Sequence, residues 1–422
     1  MKTTEPKRFR QPRLISPIRV ACPAEVKRSD ASIQVGLLTG GDDKPYALAL
    51  TLALVSEGIF VEFVGSDRVD APELHGSPLI KFLNLRGSLE ERASIARKVV
   101  RIVTYYGKLI SYAATSQAPI LHILWNNKFV LVDRILLMLY YRFLGKKIVF
   151  TAHNVNAGRR DGCDSLWNRL SLRFQYRMSD HILVHTKLMK RELCADFGVN
   201  ANRISVIPYG INNVDPRSQI TSQEAKQHFG ACRDEKVILF FGRIAPYKGL
   251  EYLVGAVAEV MGRMGNVRLI IAGKIQRGSK SYWDQIQQEI ARTGIRDQVK
   301  ERIEFIPDAQ VELYFKAADV LILPYTDIFQ SGLPFLAYSF GLPIIATDVG
   351  SLREVIVEGK TGFVCKPGDA VSLAESIEVF YNSELYRNLA DRRREIQNFA
   401  NENFSWAKVA EITRSVYASL RP

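Results

Sequence analysis

Between Leu323 and Glu354 the chain reads LPYTDIFQSGLPFLAYSFGLPIIATDVGSLRE, and this stretch leaves few folds open. Val320 to Leu323 is an apolar run of the length of a buried parallel strand, and Pro324 stops it. Ser331 and Gly332 stand just before an apolar pattern of helical spacing that opens at Leu333, with Pro334 in its first turn, where a missing N–H costs nothing. The helix is expected to end at Gly341, Pro343 blocks its continuation, Ile344 to Ala346 forms the next strand, and a second small turn follows at Gly350 and Ser351. Strand, loop, helix, strand and loop in that order make the unit of an open α/β sheet, which binds ligands beyond the carboxyl ends of its strands. The unpaired N–H groups at the start of the helix predict an anion at this loop.

The same alternation runs through the rest of the chain. Residues 1–30 mix Lys, Arg and Pro and read as a basic tail. Gln34 to Leu38 is the first strand, Gly40 and Gly41 form a tight turn where backbone can approach a ligand, and Pro45 to Glu57 is a helix. Further strands are expected at Val61 to Val64, Ile120 to Ile123, Lys147 to Thr151, Ile182 to Val184 and Ile204 to Ile207. Helices over Glu90 to Leu109 and Val130 to Phe143 lie between them. Near-continuous apolar strands alternating with helices imply a parallel sheet covered on both faces. Gly210 and Pro216 mark a hinge, so the first domain spans 31–212 and the second 213–402, with an amphipathic helix over 403–422. In the second domain, Ser222 to Phe229 reads as a helix and Val237 to Phe241, Val267 to Ala272 and Ile303 to Ile306 as strands. Helices over Ala370 to Tyr381 and Leu385 to Asn401 cover that sheet.

Two loops carry residues suited to chemistry. After the strand ending at Thr151 comes TAHNVNAGRRDG, which puts His153 at the carboxyl end of a parallel strand and crowds Asn154, Asn156, Arg159 and Arg160 beside it. Such a polar cluster fits recognition of an acceptor better than packing. Asp161 and Asp164 are spaced to cap a helix beginning near Leu166, and His122, within a strand, reads as a core residue. After the strand ending at Phe241 comes GRIAPYKGL, with Arg243 and Lys248 where strand meets helix. A guanidinium fork and a mobile ammonium group suit the oxygens of a diphosphate.

These motifs resemble the glycosyltransferases of family 4 with the GT-B fold, the retaining group related to glycogen synthase and sucrose synthase. The resemblance rests on G-R-x4-K-G at Arg243 and Lys248, on the frame GLP…A…GLPIIAT…G…E, and on the Pro-x-Gly-Ile stretch at the domain boundary. It covers 237–364 well and the first domain less closely. It implies two Rossmann-like parallel-sheet domains facing across a cleft, with the terminal helix returning to the first domain. Arg243 and Lys248 would grip the diphosphate of a nucleotide-sugar donor. Gly40, Gly41, Gly273, Gln330, Ser331, Gly332, Leu333 and Glu354 would line the donor site, Glu354 being equally explained by capping or packing. His153 would lie beside the donor sugar. The family usually carries an E-x7-E pair; here those positions are Phe329 and Ala337, and Gln330 and Ser331 would supply polar contacts instead.

Composition narrows the partners. The chain has 422 residues, 47% of them hydrophobic and 24% charged, enough for two domains of about 200 residues each. Its five cysteines form no C-x-x-C pair, which argues against zinc and a disulfide framework, and no cofactor is expected beyond the donor substrate. Prolines interrupt the apolar residues near the start, against a signal peptide, so a cytoplasmic location is expected. The most apolar region, Phe129 to Leu144, contains Asp133, Arg134 and Arg142 and falls short of the roughly 20 residues of a membrane span. Residues 1–210 hold 31 Lys+Arg against 18 Asp+Glu, a balance of +13, whereas 211–422 hold 26 of each. That bias is either a solubility feature or a basic face for an anionic membrane or a lipid-pyrophosphate acceptor. No nucleic-acid-binding pattern accompanies it.

The expected function is metal-independent transfer of a hexosyl group from a nucleotide diphosphate sugar to a glycan or lipid-linked acceptor, with retention, in cell-surface polysaccharide or glycoconjugate synthesis. A nucleotide-sugar 2-epimerase would need a pair of carboxylates as acid and base, and no obvious pair is present. A non-catalytic partner that kept the fold is the other alternative.

Overall fold

The chain forms two parallel sheets, each with helices on both faces, in a computed structural model that describes residues 33–40, 43–88, 94–127, 129–156, 158, 164–211, 220–328 and 331–421. The first sheet comprises β1 (Ile33–Leu38), β2 (Ile59–Gly65), β3 (Ile80–Asn84), β4 (Ile120–Ile123), β5 (Lys147–Ala152), β6 (His181–Val184) and β7 (Ile204–Val206). Their order is β3-β2-β1-β4-β5-β6-β7. The second comprises β8 (Lys236–Phe241), β9 (Val267–Ala272), β10 (Val299–Arg302), β11 (Val320–Leu323), β12 (Ile344–Thr347) and β13 (Gly362–Cys365), in the order β10-β9-β8-β11-β12-β13. In each sheet the order reverses once, between β1 and β4 and between β8 and β11. Crevices open beyond the carboxyl ends of strands at such reversals, and the loops after these four strands carry the residues described below.

In the first domain the helices are α1 (Lys44–Ser56), α2 (Ile95–Thr115), α3 (Met138–Phe143), α4 (Leu166–Met178) and α5 (Lys187–Phe197). In the second they are α6 (Ser222–His228), α7 (Leu250–Met264), α8 (Lys280–Arg292), α9 (Asp308–Ala317), α10 (Leu333–Ser339), α11 (Leu352–Val355), α12 (Ala370–Asn382), α13 (Glu384–Arg387) and α14 (Leu389–Phe404). The last helix, α15 (Trp406–Ser419), leaves the second domain and packs with α1, burying Trp406, Val409, Ala410, Val416 and Tyr417 in the core of the first. His122 on β4 ties it down: Nδ1 lies 2.5 Å from the Tyr417 hydroxyl and Nε2 2.7 Å from Thr151 Oγ1. Full burial lowers the His122 pKa to about 3, so the ring is neutral, a core residue as expected. Where the chain passes between domains its two crossings are joined, since the Ile211 N–H donates to the Phe404 carbonyl at 2.9 Å. Gly210 is required there, because a Cβ would come within 2.3 Å of the Trp406 ring.

Several elements differ from expectation. The strand expected at Ile303 to Ile306 is β10, four residues earlier. Its sequence VKER is half polar because β10 is an edge strand that pairs only with β9 and leaves Lys300 and Arg302 exposed. β3, β13, α8 and α9 have no counterpart in the sequence reading. The helix expected over Val130 to Phe143 is π-helical from Val132 to Leu137 before α3 begins. Asp133 in this stretch is buried and accepts from the Tyr106 hydroxyl and the Asn127 amide, both at 3.0 Å. The helix at the GLP motif, α10, is only seven residues long, ending at Ser339 before Gly341 turns the chain at φ +64°. The expected helix over Leu385 to Asn401 is broken at Asn388 into α13 and α14.

Candidate active site

Glycines hold the second-domain loops against one another. Gly273 after β9 sits on Gly242 after β8 so closely that a Cβ would lie 1.7 Å from the Gly242 carbonyl oxygen, and its φ of +149° also favours glycine. Lys248 ends the short turn Pro246–Lys248; Gly249 follows at φ +63°, where a Cβ would meet the Pro324 carbonyl oxygen at 2.0 Å. The turn is thereby pinned to the end of β11. Lys248 is 8% exposed, its Nζ stands 3.6 Å from the centroid of the Tyr325 ring, and it pairs with no described carboxylate. Burial, and then the charge of Arg243, bring its pKa down to about 7. Arg243 is exposed.

The start of α10 meets the same loops. A Cβ on Gly242 would lie 3.3 Å from Leu333 Cδ1. Burial pushes the Tyr325 hydroxyl up, and the Ser331 hydroxyl beside it partly offsets that rise. Ser331 Oγ also accepts from the Leu333 N–H at 3.3 Å. Arg243, Lys248, Ser331, Gly332 and Leu333 therefore converge on one loop cluster. A helix of seven residues has a small dipole, so most of the attraction for an anion here comes from the two cations. Ala337 is fully buried in the core. Gln330 and Phe329 lie outside the described residues, as do Gly41, Arg159 and Arg160.

Across the cleft, His153 follows β5 directly and stands inside a wall of aromatic rings. Trp125, just beyond β4, stacks on it with centroids 4.2 Å apart and planes 3° from parallel. Tyr46 on α1 meets it edge-on at 4.8 Å. Gly40, at φ +63°, is needed because a Cβ would approach Trp125 Cβ to 2.9 Å, so this glycine seats Trp125. His153 Nδ1 lies 3.1 Å from His185 Nε2. Burial lowers His185 to about 4, against the pull of the Ile207 and Pro208 carbonyls. One ring donates to the other across this contact, and His185 Nδ1 and His153 Nε2 are both buried with no hydrogen-bond partner among the described residues. Burial, and then the neighbouring His185, lower the His153 pKa well below the usual imidazole range, so the ring is neutral. Tyr209 links the two walls, stacking on Phe335 of α10 at 5.5 Å and meeting His185 at 5.3 Å and Tyr46 at 5.8 Å.

Other expected site residues are otherwise engaged. Asn156 is buried and donates to Asp164 Oδ1 at 3.0 Å while accepting from Asn168 at 2.9 Å, a structural role; Asn154 is half-buried. The cap of α4 is Ser165, which accepts from the Asn168 N–H, whereas Asp164 pairs with Arg169. Both carboxylate oxygens of Glu354 accept N–H groups across the domain boundary, from Lys187 and Leu188 at the start of α5, each at 2.8 Å. Glu354 thus caps the other domain's helix. Tyr46, Trp125, His185, Tyr209 and Tyr325 were not read from the sequence. Trp125 and Tyr325 follow directly on the apolar runs LHIL and LILP, a position that marks crevice residues in parallel sheets.

Two parallel-sheet domains, with cationic loops on one side of a cleft and an aromatic wall on the other, have the architecture of the GT-B scaffold. The chain matches the family described as "Glycosyl transferases group 1" over residues 221–400 and "Glycosyltransferase Family 4" over 45–213. This protein belongs to the GT-B glycosyltransferases of family 4. An uncharacterized glycosyltransferase of Methanocaldococcus jannaschii is 26% identical over 64% of this chain and 68% of its own length. A D-inositol 3-phosphate glycosyltransferase of Corynebacterium efficiens is 27% identical over 64% of this chain, which spans 65% of that relative's length. The Corynebacterium glutamicum enzyme of the same name is 23% identical over 91% of this chain and 93% of its length. Among solved structures, sucrose-phosphate synthase from Thermosynechococcus elongatus superposes with a TM-score of 0.70 at 19% identity, covering 92% of this chain and 99% of that one. Anabaena HepE in complex with UDP and glucose gives 0.67 at 17%, covering 92% and 100%. At these identities the likeness is one of fold.

Proposed function

We propose that this protein moves a sugar from a nucleotide diphosphate sugar to a glycan or lipid-linked acceptor with retention of configuration, in cell-surface glycoconjugate synthesis. One observation carries the reading. Lys248 is nearly buried, has no described anionic partner, and shares its loop cluster with Arg243. A desolvated ammonium group beside a second cation is costly to the empty protein, and a diphosphate would offset that cost by supplying the missing charge. The UDP bound in HepE is in keeping with such a donor.

The residues divide the work. Arg243 and Lys248 hold the diphosphate and stabilise the charge that grows on it as the bond from the anomeric carbon to the phosphate oxygen breaks. His153 Nε2, unpaired among the described residues, orients a donor-sugar hydroxyl through one hydrogen bond, and Trp125 and Tyr46 fix the ring. The acceptor oxygen attacks on the face the leaving group vacates, and its proton passes to the departing phosphate oxygen. Closure of the cleft excludes water that would otherwise hydrolyse the donor.

The experiment is a thermal-shift panel of UDP-, GDP- and ADP-sugars. A ligand at one hundred times its Kd adds about 2.7 kcal/mol, a shift easily read. Arg243→Ala and Lys248→Ala are each expected to weaken binding of the best nucleotide by about ten- to a hundredfold. No shift from any nucleotide sugar, or wild-type affinity in both variants, would end this reading. Binding without transfer to any membrane-extract acceptor would favour a non-catalytic protein.

A further inference from the structure

Three neighbouring helices on one face of the first sheet turn apolar side chains toward solvent. Of the 17 exposed large hydrophobic residues among the described residues, 13 lie between Val99 and Leu170. On α2 the exposed positions Ala96, Val99, Val100, Val103, Gly107 and Ile110 recur at intervals of three and four, forming one stripe along the helix. Tyr105, Leu109 and Tyr112 on the other side already pack on the sheet. A helix that covers a sheet in water needs one apolar face, and α2 has two. Its neighbours extend the stripe, through Leu139 and Phe143, the latter 87% exposed, and through Leu166 and Trp167 at 71% and 74%.

The surface is continuous. Tyr106 of α2 stacks on Phe129 at 5.9 Å, Tyr140 of α3 donates to the Ile110 carbonyl at 3.1 Å, and Arg134 donates to Asn168 of α4 at 2.9 Å. It is also predominantly basic. α2 carries four cations and no acid and α4 carries three and no acid; of the described acids between them, Asp133 is buried and Asp164 is paired with Arg169. Arg97, Arg101 and Lys108 line one flank of the α2 stripe, and none makes an ion pair with a described residue. Long basic side chains beside an apolar stripe bury their stems and keep their charges at an interface.

We propose that this face docks on an anionic lipid bilayer, with the apolar stripe in the acyl boundary and the cations among the headgroups. A second copy fits poorly, because a twofold contact through this face would set basic rows against each other, with Asp133 buried and Asp164 already engaged by Arg169. No helix among the described residues is long and apolar enough to cross a membrane, so the contact is peripheral. α4 begins just after the His153 loop, and α2 starts at the same carboxyl edge of the sheet, so the docked face adjoins the cleft. This deepens the proposed function by fixing where a lipid-linked acceptor would enter, and it rests on that reading for the acceptor alone.

The test is sedimentation of the full chain with vesicles of phosphatidylcholine alone or mixed with phosphatidylglycerol. The protein is expected to pellet with the mixed vesicles, less at high salt, and to stay in solution with the neutral ones. The exposed pair Val100→Asp with Trp167→Asp should lower partition at least about tenfold, and Arg97→Glu with Lys108→Glu should lower it too. Melting temperature and nucleotide-sugar shift should stay at wild-type values in both. Failure to pellet with mixed vesicles, wild-type pelleting of both variants, or a wild-type dimer that these substitutions dissociate would overturn the proposal. Loss of nucleotide binding in the unmodified chain would instead sink the transferase reading and leave docking standing.

Discussion

At the scale of single residues, the state of Lys248 has a consequence for pH. Its pKa of about 7 in the empty protein lies far below the ordinary lysine value, so between pH 7 and that value the unfolded chain binds more protons than the folded one. This group therefore makes the empty protein less stable as pH falls toward 7, and a bound diphosphate reverses the preference by holding the proton. Nucleotide affinity is expected to decline as pH rises above about 7, and calorimetry in buffers of different ionisation enthalpy should show proton uptake. Lys248→Met should stabilise the empty protein by about 1–3 kcal/mol, read as a higher Tm, while abolishing the donor-induced shift. A pH-independent affinity would show that the ammonium group is charged throughout.

Secondary-structure elements show why some of this was legible in the chain and some was not. Arg243 and Lys248 could be read because a strand, a glycine and two cations at fixed spacing lie within a few residues of one another. The wall around His153 could not, because Tyr46, Trp125, His185 and Tyr209 come from four separate loops and helices and meet only once the sheet is formed. β10 was displaced because an edge strand exposes polar residues and loses the apolar run that marks a buried one. Glu354 was ambiguous for a similar reason, since a cap on a helix in the other domain leaves no local pattern. That cap carries a prediction. Charge-assisted bonds to two helix N–H groups contribute about 1–2 kcal/mol to holding the domains together. Glu354→Gln should loosen the closed arrangement, seen as a larger radius of gyration in solution scattering and a lower kcat, with the melting of each domain little changed. Unaltered scattering and kcat would assign Glu354 to local packing only.

For the whole molecule, the deciding feature is the last helix. α15 buries Trp406, Val409 and Tyr417 in the first domain, and apolar burial of this kind is worth about 1.5–3 kcal/mol for each large side chain. A chain ending at Phe404 should therefore lose stability mainly in the first domain, with an early melting transition there and a second domain that still gives the nucleotide shift. A single unchanged transition would contradict this. His122 adds a pH term of definite sign: its folded pKa of about 3 lies below the unfolded value, so stability from this group falls as pH drops below about 6.5.

The paired crossings at Ile211 and Phe404 bear on how such proteins can be recombined. Because the amino-terminal half borrows its closing helix from the far end of the chain, a graft that exchanges only residues before the hinge would join a foreign sheet to a native lid. A working hybrid must transplant two separate segments together, the sheet and the terminal helix, leaving the cation-bearing half as the insert between them.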